Sequence, residues 1–271
     1  MELPKERRQP LGTNPLTLII YSAPKTGKTV ICAGLKDGLI LELEPNGANF
    51  VEGRVLEINK PSEFIEALKL LKDSKEQVCE HLIIDTITKW DEWSEIVGTF
   101  NYMNKPQGQR FNRIDDIPNG TKILHTDARF ESVHELGQGY GYKHSRDVMT
   151  TWYDEIVNLI PLGKVKYVIF ISHIKDKLIE SRKGDLIESS DLNLTGKVKS
   201  IYCSRVDAVG HLYRKGTQCF LNFDNEHKTI SGGRCIHLNS EILISEKQKD
   251  GSIKTFWENV YLPEAKQQTT K

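Results

Sequence analysis

The sequence predicts an α/β fold in which a mostly parallel central sheet is flanked by helices and carries antiparallel strands at its C-terminal end. As far as about residue 195, apolar runs of strand length alternate with amphipathic runs of helical length, which favours a parallel sheet. Several apolar runs are continuous stretches of Ile, Val and Leu, as is typical of strands covered on both faces. Beyond residue 195, short strand-like runs separated by turn residues indicate antiparallel hairpins.

The individual elements follow from these runs and from the turn residues between them. Strands are predicted at 16–21, 38–43, 54–58, 81–84, 166–171, 208–212 and 218–223. Helices are predicted at 28–35, 62–73, 89–100 and 147–159. Ser62 directly follows Pro61 and is expected to cap the second helix.

Composition places the chain among soluble globular proteins. It has 271 residues, with 37 basic and 37 acidic side chains. We expect a flexible arm at 1–15, a single domain at 16–262 with a long insertion or loop region at 98–146, and a flexible tail at 263–271. No apolar run reaches the ~18 residues of a membrane span, and the first residues are charged where a signal peptide would be apolar. The sequence therefore predicts a cytoplasmic protein without a membrane partner.

A strand, a loop and a helix follow one another at 16–35, and the loop has the pattern of a phosphate-binding P-loop. In such a loop the glycine lets the backbone fold over the phosphates, the lysine reaches the β- and γ-phosphates, and the next hydroxyl binds Mg²⁺. The loop therefore predicts ATP and Mg²⁺ as cofactors. Serine replaces the usual first glycine, which is expected to cost some backbone energy. The predicted nucleotide-binding residues are Ser22, Ala23, Pro24, Lys25, Thr26, Gly27, Lys28 and Thr29.

Two carboxylates are candidates for the chemistry around the phosphates. Asp85 ends a buried run that is expected to lie beside the P-loop strand, where it would be the second Mg²⁺ ligand with Thr29. Thr86 stands where many P-loop ATPases place the glutamate that activates water, so the base has to come from elsewhere. Glu44, at the end of the strand after the P-loop helix, is the first candidate for that role, and Glu42 is the weaker one. A solvated strand-end glutamate is the alternative interpretation of Glu44.

His173 ends a further buried strand, directly after Ser172. In doubly wound sheets, ligands lie at the carboxyl ends of the strands, so His173 is a candidate sensor of the γ-phosphate. A histidine that only caps a turn is the alternative.

The order of these segments resembles that of phage-encoded RecA-like ATP-binding proteins, which are minimal recombinase cores, some of them acting in single-strand annealing. The resemblance covers about residues 16–225 and is carried by the P-loop, the strand ending at Glu44, the segment around Asp85, the strand ending at His173 and the run at 205–210. It implies a RecA-like P-loop NTPase fold and action on single-stranded DNA in phage recombination, annealing or replication. It also implies self-assembly into a ring or filament, with a single-strand-binding protein as a further partner.

RecA-like assemblies complete each ATP site with a cation from the neighbouring subunit. The resemblance assigns this role to Arg214 and Lys215, which follow the predicted strand 208–212, with Arg234 as an alternative. Such a cation would neutralise charge that develops on the γ-phosphate. An exposed hairpin cation is the other interpretation.

Binding of single-stranded DNA requires cations along the backbone and aromatic rings on which bases stack. Between Lys164 and Lys215 there are 11 basic and six acidic residues in an otherwise neutral chain. The segment 174–190 lies where RecA-like proteins carry a DNA-contacting loop, and 140–146 offers a second contact. An ordinary solvated loop is the alternative for each residue. The candidate DNA-binding residues are Lys175, Lys177, Arg182, Lys183, Tyr140, Tyr142, Lys143 and Arg146.

Three functions are compatible with these patterns. The first is an ATP-binding RecA-like protein that hydrolyses ATP, with stimulation by single-stranded DNA. The second is a small-molecule or nucleoside kinase, which would need an arginine-rich lid and an acceptor pocket that the sequence does not identify. The third is a non-hydrolysing ATP-dependent scaffold, which Ser22 and the missing glutamate after Asp85 would suit.

Overall fold

The computed structural model describes residues 12–106, 132–136, 139, 141–180, 186–224 and 229–263, with only the backbone at 176–180 and 186–189. The strands are β1 (Thr17–Ser22), β2 (Gly38–Glu42), β3 (Arg54–Glu57), β4 (Cys79–Asp85), β5 (Val165–Glu180), β6 (Leu186–Leu192), β7 (Ala208–Lys215), β8 (Gln218–Asn222), β9 (Gly232–Gly233), β10 (Glu241–Lys247) and β11 (Ile253–Thr255). The helices are α1 (Lys28–Ala33), α2 (Pro61–Asp73), α3 (Ile87–Met103), α4 (Tyr142–Val157) and α5 (Val198–Arg205), and short 3₁₀ helices lie at Val133–Glu135 and Trp257–Asn259.

The described strands form one sheet in the order β11-β10-β8-β7-β1-β5-β4-β2-β3. The strands from β3 to β7 in this order run parallel, while β8, β10 and β11 extend the sheet antiparallel. Two further strands pair with members of this series, β6 with β5 and β9 with β7, both antiparallel. The predicted α/β fold class, a mostly parallel central sheet with antiparallel strands at the C-terminal end, is confirmed.

One expectation about the sheet is wrong. The strand that ends at Asp85 was expected beside the P-loop strand, but β5 pairs with both β1 and β4 and separates them. The register aligns Ser22 with His173 and Asp85 with Ile171. The inserted strand therefore places His173 between the P-loop and Asp85.

Apolar side chains pack on both faces of the sheet. On one face, helices α2 to α5 cover a core in which the fully buried Trp90 contacts the rings of Phe64, Trp152 and Phe170. On the other face, α1 and the C-terminal strands enclose a second core, in which the Trp257 indole donates a hydrogen bond to the Ile31 carbonyl at 2.9 Å. Burial on both faces explains why the sequences of the parallel strands are continuous runs of Ile and Val.

Several element boundaries differ from the sequence-based predictions. Helix α2 begins at Pro61 with Lys60 at its N-cap, so Ser62 does not cap it; proline suits the first helical position because that N–H has no helical partner. Helix α3 starts earlier than expected because the Thr86 hydroxyl accepts a hydrogen bond from the Lys89 N–H. Helix α5 and the β5–β6 hairpin were missed. In the part of the chain that the structure describes, no helix combines the length and apolar character needed to span a membrane.

Candidate functional site

The P-loop joins the end of β1 to the start of α1 at the carboxyl edge of the parallel strands. Gly27 has a φ of 107°, a left-handed conformation that only glycine adopts easily, and Lys25 is also left-handed with a φ of 62°. Ser22 is the buried last residue of β1 and is not among the residues with positive φ. The expected backbone cost of serine at this position is therefore absent.

Lys28 lies folded over the inside of the P-loop. Its Nζ donates hydrogen bonds to the Ser22 carbonyl, the Ser22 hydroxyl and the Ala23 carbonyl, each at 3.1 Å. The side chain is buried, and this burial lowers the pKa of the amine, although Asp85 and Glu44 favour the charged form. A buried cation whose hydrogen-bond partners, within the described part of the chain, are all neutral oxygens is well placed to bind an anion.

Thr29, the residue after Lys28, contacts Asp85. The Thr29 Oγ1 donates a hydrogen bond to Asp85 Oδ2 at 2.6 Å, although β1, which leads into the P-loop, and β4, which ends at Asp85, are not adjacent. A hydroxyl and a carboxylate are hard oxygen donors of the kind that Mg²⁺ prefers, so the pair fits the predicted metal. Burial raises the pKa of Asp85 to about 6. Nearby positive charge would favour its ionised form.

The burial of the Asp85 carboxyl group leads to a prediction about the pH dependence of folding stability. Because its folded pKa is raised, Asp85 opposes folding increasingly as the pH rises from about 4 to 6, and fully above that range. In the absence of metal and nucleotide, we expect Asp85→Asn to stabilise the chain at pH 8 by roughly 2–3 kcal/mol. The gain should vanish near pH 4. Urea unfolding at both pH values tests this, and an equal effect at the two pH values would contradict it.

Glu44, Thr86 and His173 form a hydrogen-bonded cluster beside this pair. Glu44 Oε1 lies 2.8 Å from His173 Nε2 and accepts a hydrogen bond from Thr86 Oγ1 at 3.0 Å. The hydrogen bond to His173 is the main reason why the pKa of Glu44 is lowered, so Glu44 is a carboxylate at neutral pH. Among the residues that the structure describes, the buried His173 Nδ1 has no hydrogen-bond partner. Glu44 is therefore held in place, and is not the freely solvated strand-end residue of the alternative interpretation.

Glu42 has a different environment. Its side chain is buried, and Glu42 Oε1 accepts a hydrogen bond from the Ala48 N–H at 2.6 Å. It thereby holds the turn that follows Glu44. This contact indicates that Glu42 stabilises the turn and does not act as the base.

The three cations considered for the ATP site of a neighbouring subunit each have a different partner within this chain. Arg214 Nη2 donates a hydrogen bond to the Thr26 carbonyl of its own P-loop at 3.1 Å. Lys215 Nζ forms an ion pair with Glu241 at 2.9 Å. Arg234 lies near Asp207, 3.5 Å away, and donates to the Ser204 carbonyl.

Comparisons with known proteins give a family match over most of the chain. A family model described as an AAA domain matches residues 14–235, which is most of the chain and includes the whole cluster described above. The chain belongs to this AAA-domain family. Among curated proteins, none matches it. The crystal structure of the RadB recombinase is similar to this chain at a TM-score of 0.43 and 10% identity, over 90% of this chain and 93% of the other.

In this AAA-domain protein, the candidate DNA-binding residues are only partly described. Tyr140, Arg182 and Lys183 lie outside the described residues, and Lys177 is described by its backbone alone, in β5. Lys175 is exposed just beyond His173. The remaining three, Tyr142, Lys143 and Arg146, lie in the first two turns of α4.

A cavity of about 330 Å³ adjoins α4, and of its lining residues only Tyr142 and Arg146 were predicted from the sequence as candidate DNA-binding residues. It is lined by Tyr142, Arg146, Asp91, Thr195 and Lys197, among others. Asp91 Oδ2 accepts a hydrogen bond from the Thr195 N–H at 2.7 Å, which ties α3 to the segment after β6. The basic excess between residues 164 and 215 was the available signal for Lys197.

Proposed function

We propose that this protein binds and hydrolyses ATP with Mg²⁺ and acts on single-stranded DNA, in recombination or annealing of the kind found in phage-encoded RecA-like proteins. The observation that carries the ATP part is the 2.6 Å contact of Thr29 with Asp85, with Lys28 and Glu44 at its side. These groups are of the kinds that phosphoryl transfer from ATP uses, namely a lysine for the phosphates, oxygen ligands for Mg²⁺ and a carboxylate to orient the water.

Each side chain has a defined task in this proposal. Lys28 would exchange its carbonyl partners for the β- and γ-phosphate oxygens, and the loop N–H groups would hold the phosphates. Thr29 and Asp85 would hold Mg²⁺, which supplies neutralisation of the phosphate charge when bound. Glu44, anionic and fixed by Thr86 and His173, would orient and polarise the attacking water.

The cavity beside α4 supports the DNA part of the proposal. Tyr142 is 43% exposed, and one face of its ring is stacked on His134 with ring centroids 4.3 Å apart. A base would stack on the other face. Arg146 and Lys197 supply positive charge for the backbone at the same cavity. A cavity of about 330 Å³ is large enough for one base with its sugar.

A short path of contacts joins this cavity to the ATP site. Asp91 lies one helical turn after Thr88, whose Oγ1 accepts a hydrogen bond from the His173 N–H at 3.0 Å. The Asn193 N–H donates to the His173 carbonyl at 2.9 Å, two residues before the Thr195 contact with Asp91. Occupation of the cavity would therefore act on His173, and through it on Glu44, which is how DNA would stimulate hydrolysis.

Steady-state ATP turnover, with and without single-stranded DNA, tests the proposed function. We expect turnover in the wild type that rises when a dT oligonucleotide is added. Turnover that requires a small-molecule acceptor and ignores DNA would support a kinase instead. ATP binding without turnover under either condition would support the scaffold.

Replacing Tyr142 with alanine should weaken binding of single-stranded DNA by roughly 5- to 150-fold, because stacking on an aromatic ring contributes about 1–3 kcal/mol per base. Fluorescence anisotropy with a labelled dT oligonucleotide measures this. Phe50→Ala is the matched control, since Phe50 is 97% exposed and does not line the cavity. Equal affinity of the wild type and Tyr142→Ala would exclude this cavity as a base site.

A further inference from the structure

The peptide between Thr26 and Gly27 is held from outside the P-loop. The Thr26 carbonyl accepts a hydrogen bond from Arg214 Nη2 at 3.1 Å and a weak one from the buried Cys219 Sγ at 3.9 Å. Arg214 and Cys219 are cross-strand partners at the β7–β8 hairpin. The same guanidinium lies 3.6 Å from the position that a Cβ atom on Gly27 would occupy. The hairpin thus contacts the loop at its most constrained residues.

A trans peptide points its C=O and its N–H in opposite directions. Fixing the Thr26 carbonyl towards the hairpin therefore aims the Gly27 N–H away from it, towards the opposite side of the loop. Among the described residues, no protein atom accepts a hydrogen bond from the N–H groups of Lys25, Thr26 or Gly27. Successive free N–H groups next to left-handed residues form an anion-binding nest.

We propose that Arg214 is a positioning residue for the P-loop of its own subunit, where it holds the anion-binding nest in its binding conformation. This inference deepens the proposed function and rests on it. It replaces the expectation that Arg214 reaches the γ-phosphate of a neighbouring subunit.

The position of Arg214 relative to the sheet agrees with this assignment. Strand β1 lies between β5 and β7, so His173 is on one side of the P-loop strand and Arg214 on the other. The terminal phosphate, which Glu44 and His173 would flank, would therefore lie on the far side of the loop from Arg214. The Thr26–Gly27 peptide is common to the binding of ADP and ATP. The arginine should accordingly affect both nucleotides equally.

Binding of ADP, ATP and inorganic tripolyphosphate to Arg214→Ala gives the first test. We expect affinity for all three to fall about tenfold, since one charge-assisted hydrogen bond to the loop is lost. Arg214→Lys should restore part of the affinity, because one charged donor is retained. The control is Arg54→Ala, an arginine at the far edge strand that pairs with Asp37 and should leave binding unchanged. Unchanged binding by Arg214→Ala, or a loss confined to ATP, would overturn the inference.

Mixing two variants with reduced turnover, assayed at an ATP concentration below the wild-type KM, gives the second test. Lys28→Ala keeps Arg214 but lacks the P-loop lysine, whereas Arg214→Ala keeps the lysine. Because Arg214 acts within its own subunit, we expect no recovery of ATP turnover in the mixture. Recovery would show that Arg214 acts across a subunit interface and would overturn the inference.

The two proposals fail in different ways. A wild type that binds tripolyphosphate and ADP but neither hydrolyses ATP nor binds DNA would contradict the proposed function. The tenfold loss in Arg214→Ala would still establish the role of the arginine in that case.

Discussion

Replacing Lys28 with alanine is expected to lower the kcat/KM of ATP hydrolysis by at least about a hundredfold and to weaken ATP binding by at least about tenfold. The reason is that Lys28 is the cation inside the P-loop, and its present partners are three neutral oxygens of Ser22 and Ala23. Isothermal titration with ATP and a coupled turnover assay measure the two effects.

A loss of folding must be separated from a loss of binding in this variant. Burial lowers the pKa of Lys28, which means that its charge is costly to bury and that its removal should not destabilise the chain. We therefore expect the thermal unfolding midpoint to stay the same or to rise. Lys36→Ala is the control, because Lys36 is exposed beyond the far end of α1. Full turnover by Lys28→Ala would show that ATP is hydrolysed elsewhere.

Glu44→Gln is expected to lower kcat by about 10²- to 10⁴-fold, the usual contribution of a positioned base. ATP affinity should change little, because glutamine can still accept the hydrogen bond from Thr86 and interact with His173. The pair of results, slow turnover and normal binding, is what separates a base from a nucleotide-binding residue. Single-turnover kinetics with saturating ATP measure it.

Variants of two neighbouring glutamates, Glu42 and Glu52, test whether Glu44 is the base. Glu52→Gln is a matched control on the same loop, since Glu52 is exposed. Glu42→Gln should mainly loosen the turn that Ala48 anchors, and should be seen as a loss of stability. If Glu42→Gln abolishes turnover while Glu44→Gln retains it, the assignment of the base is wrong.

The sequence was most informative where function depends on neighbouring residues in the chain. The P-loop is a local strand–loop–helix pattern, so its residues could be predicted from spacing alone. Asp85 could be placed at a strand end because it follows an apolar run, and it is the last residue of β4. Glu44 lies two residues beyond the end of β2. The prediction that His173 ends its strand is wrong, because β5 continues to Glu180. Parallel strands bring their carboxyl ends to one edge, which is why these side chains meet.

What the sequence could not predict are contacts between distant segments. The insertion of β5 between β1 and β4 is a choice among several strand orders that have the same apolar runs. The contact of Arg214 with its own P-loop joins residues 188 positions apart, so no local pattern reports it. Asp91 was also missed as a cavity residue, because its partner Thr195 is 104 residues away.

The most direct test of the whole account is a crystal structure of the protein with a non-hydrolysable ATP analogue and Mg²⁺. The account predicts phosphates in the P-loop, Lys28 Nζ moved from the Ser22 and Ala23 carbonyls to a phosphate oxygen, and Mg²⁺ on the Thr29 hydroxyl with Asp85 beside it. Glu44 should lie near a water in line with the γ-phosphate. An empty loop at saturating analogue, with Lys28 still bonded to those carbonyls, would contradict it.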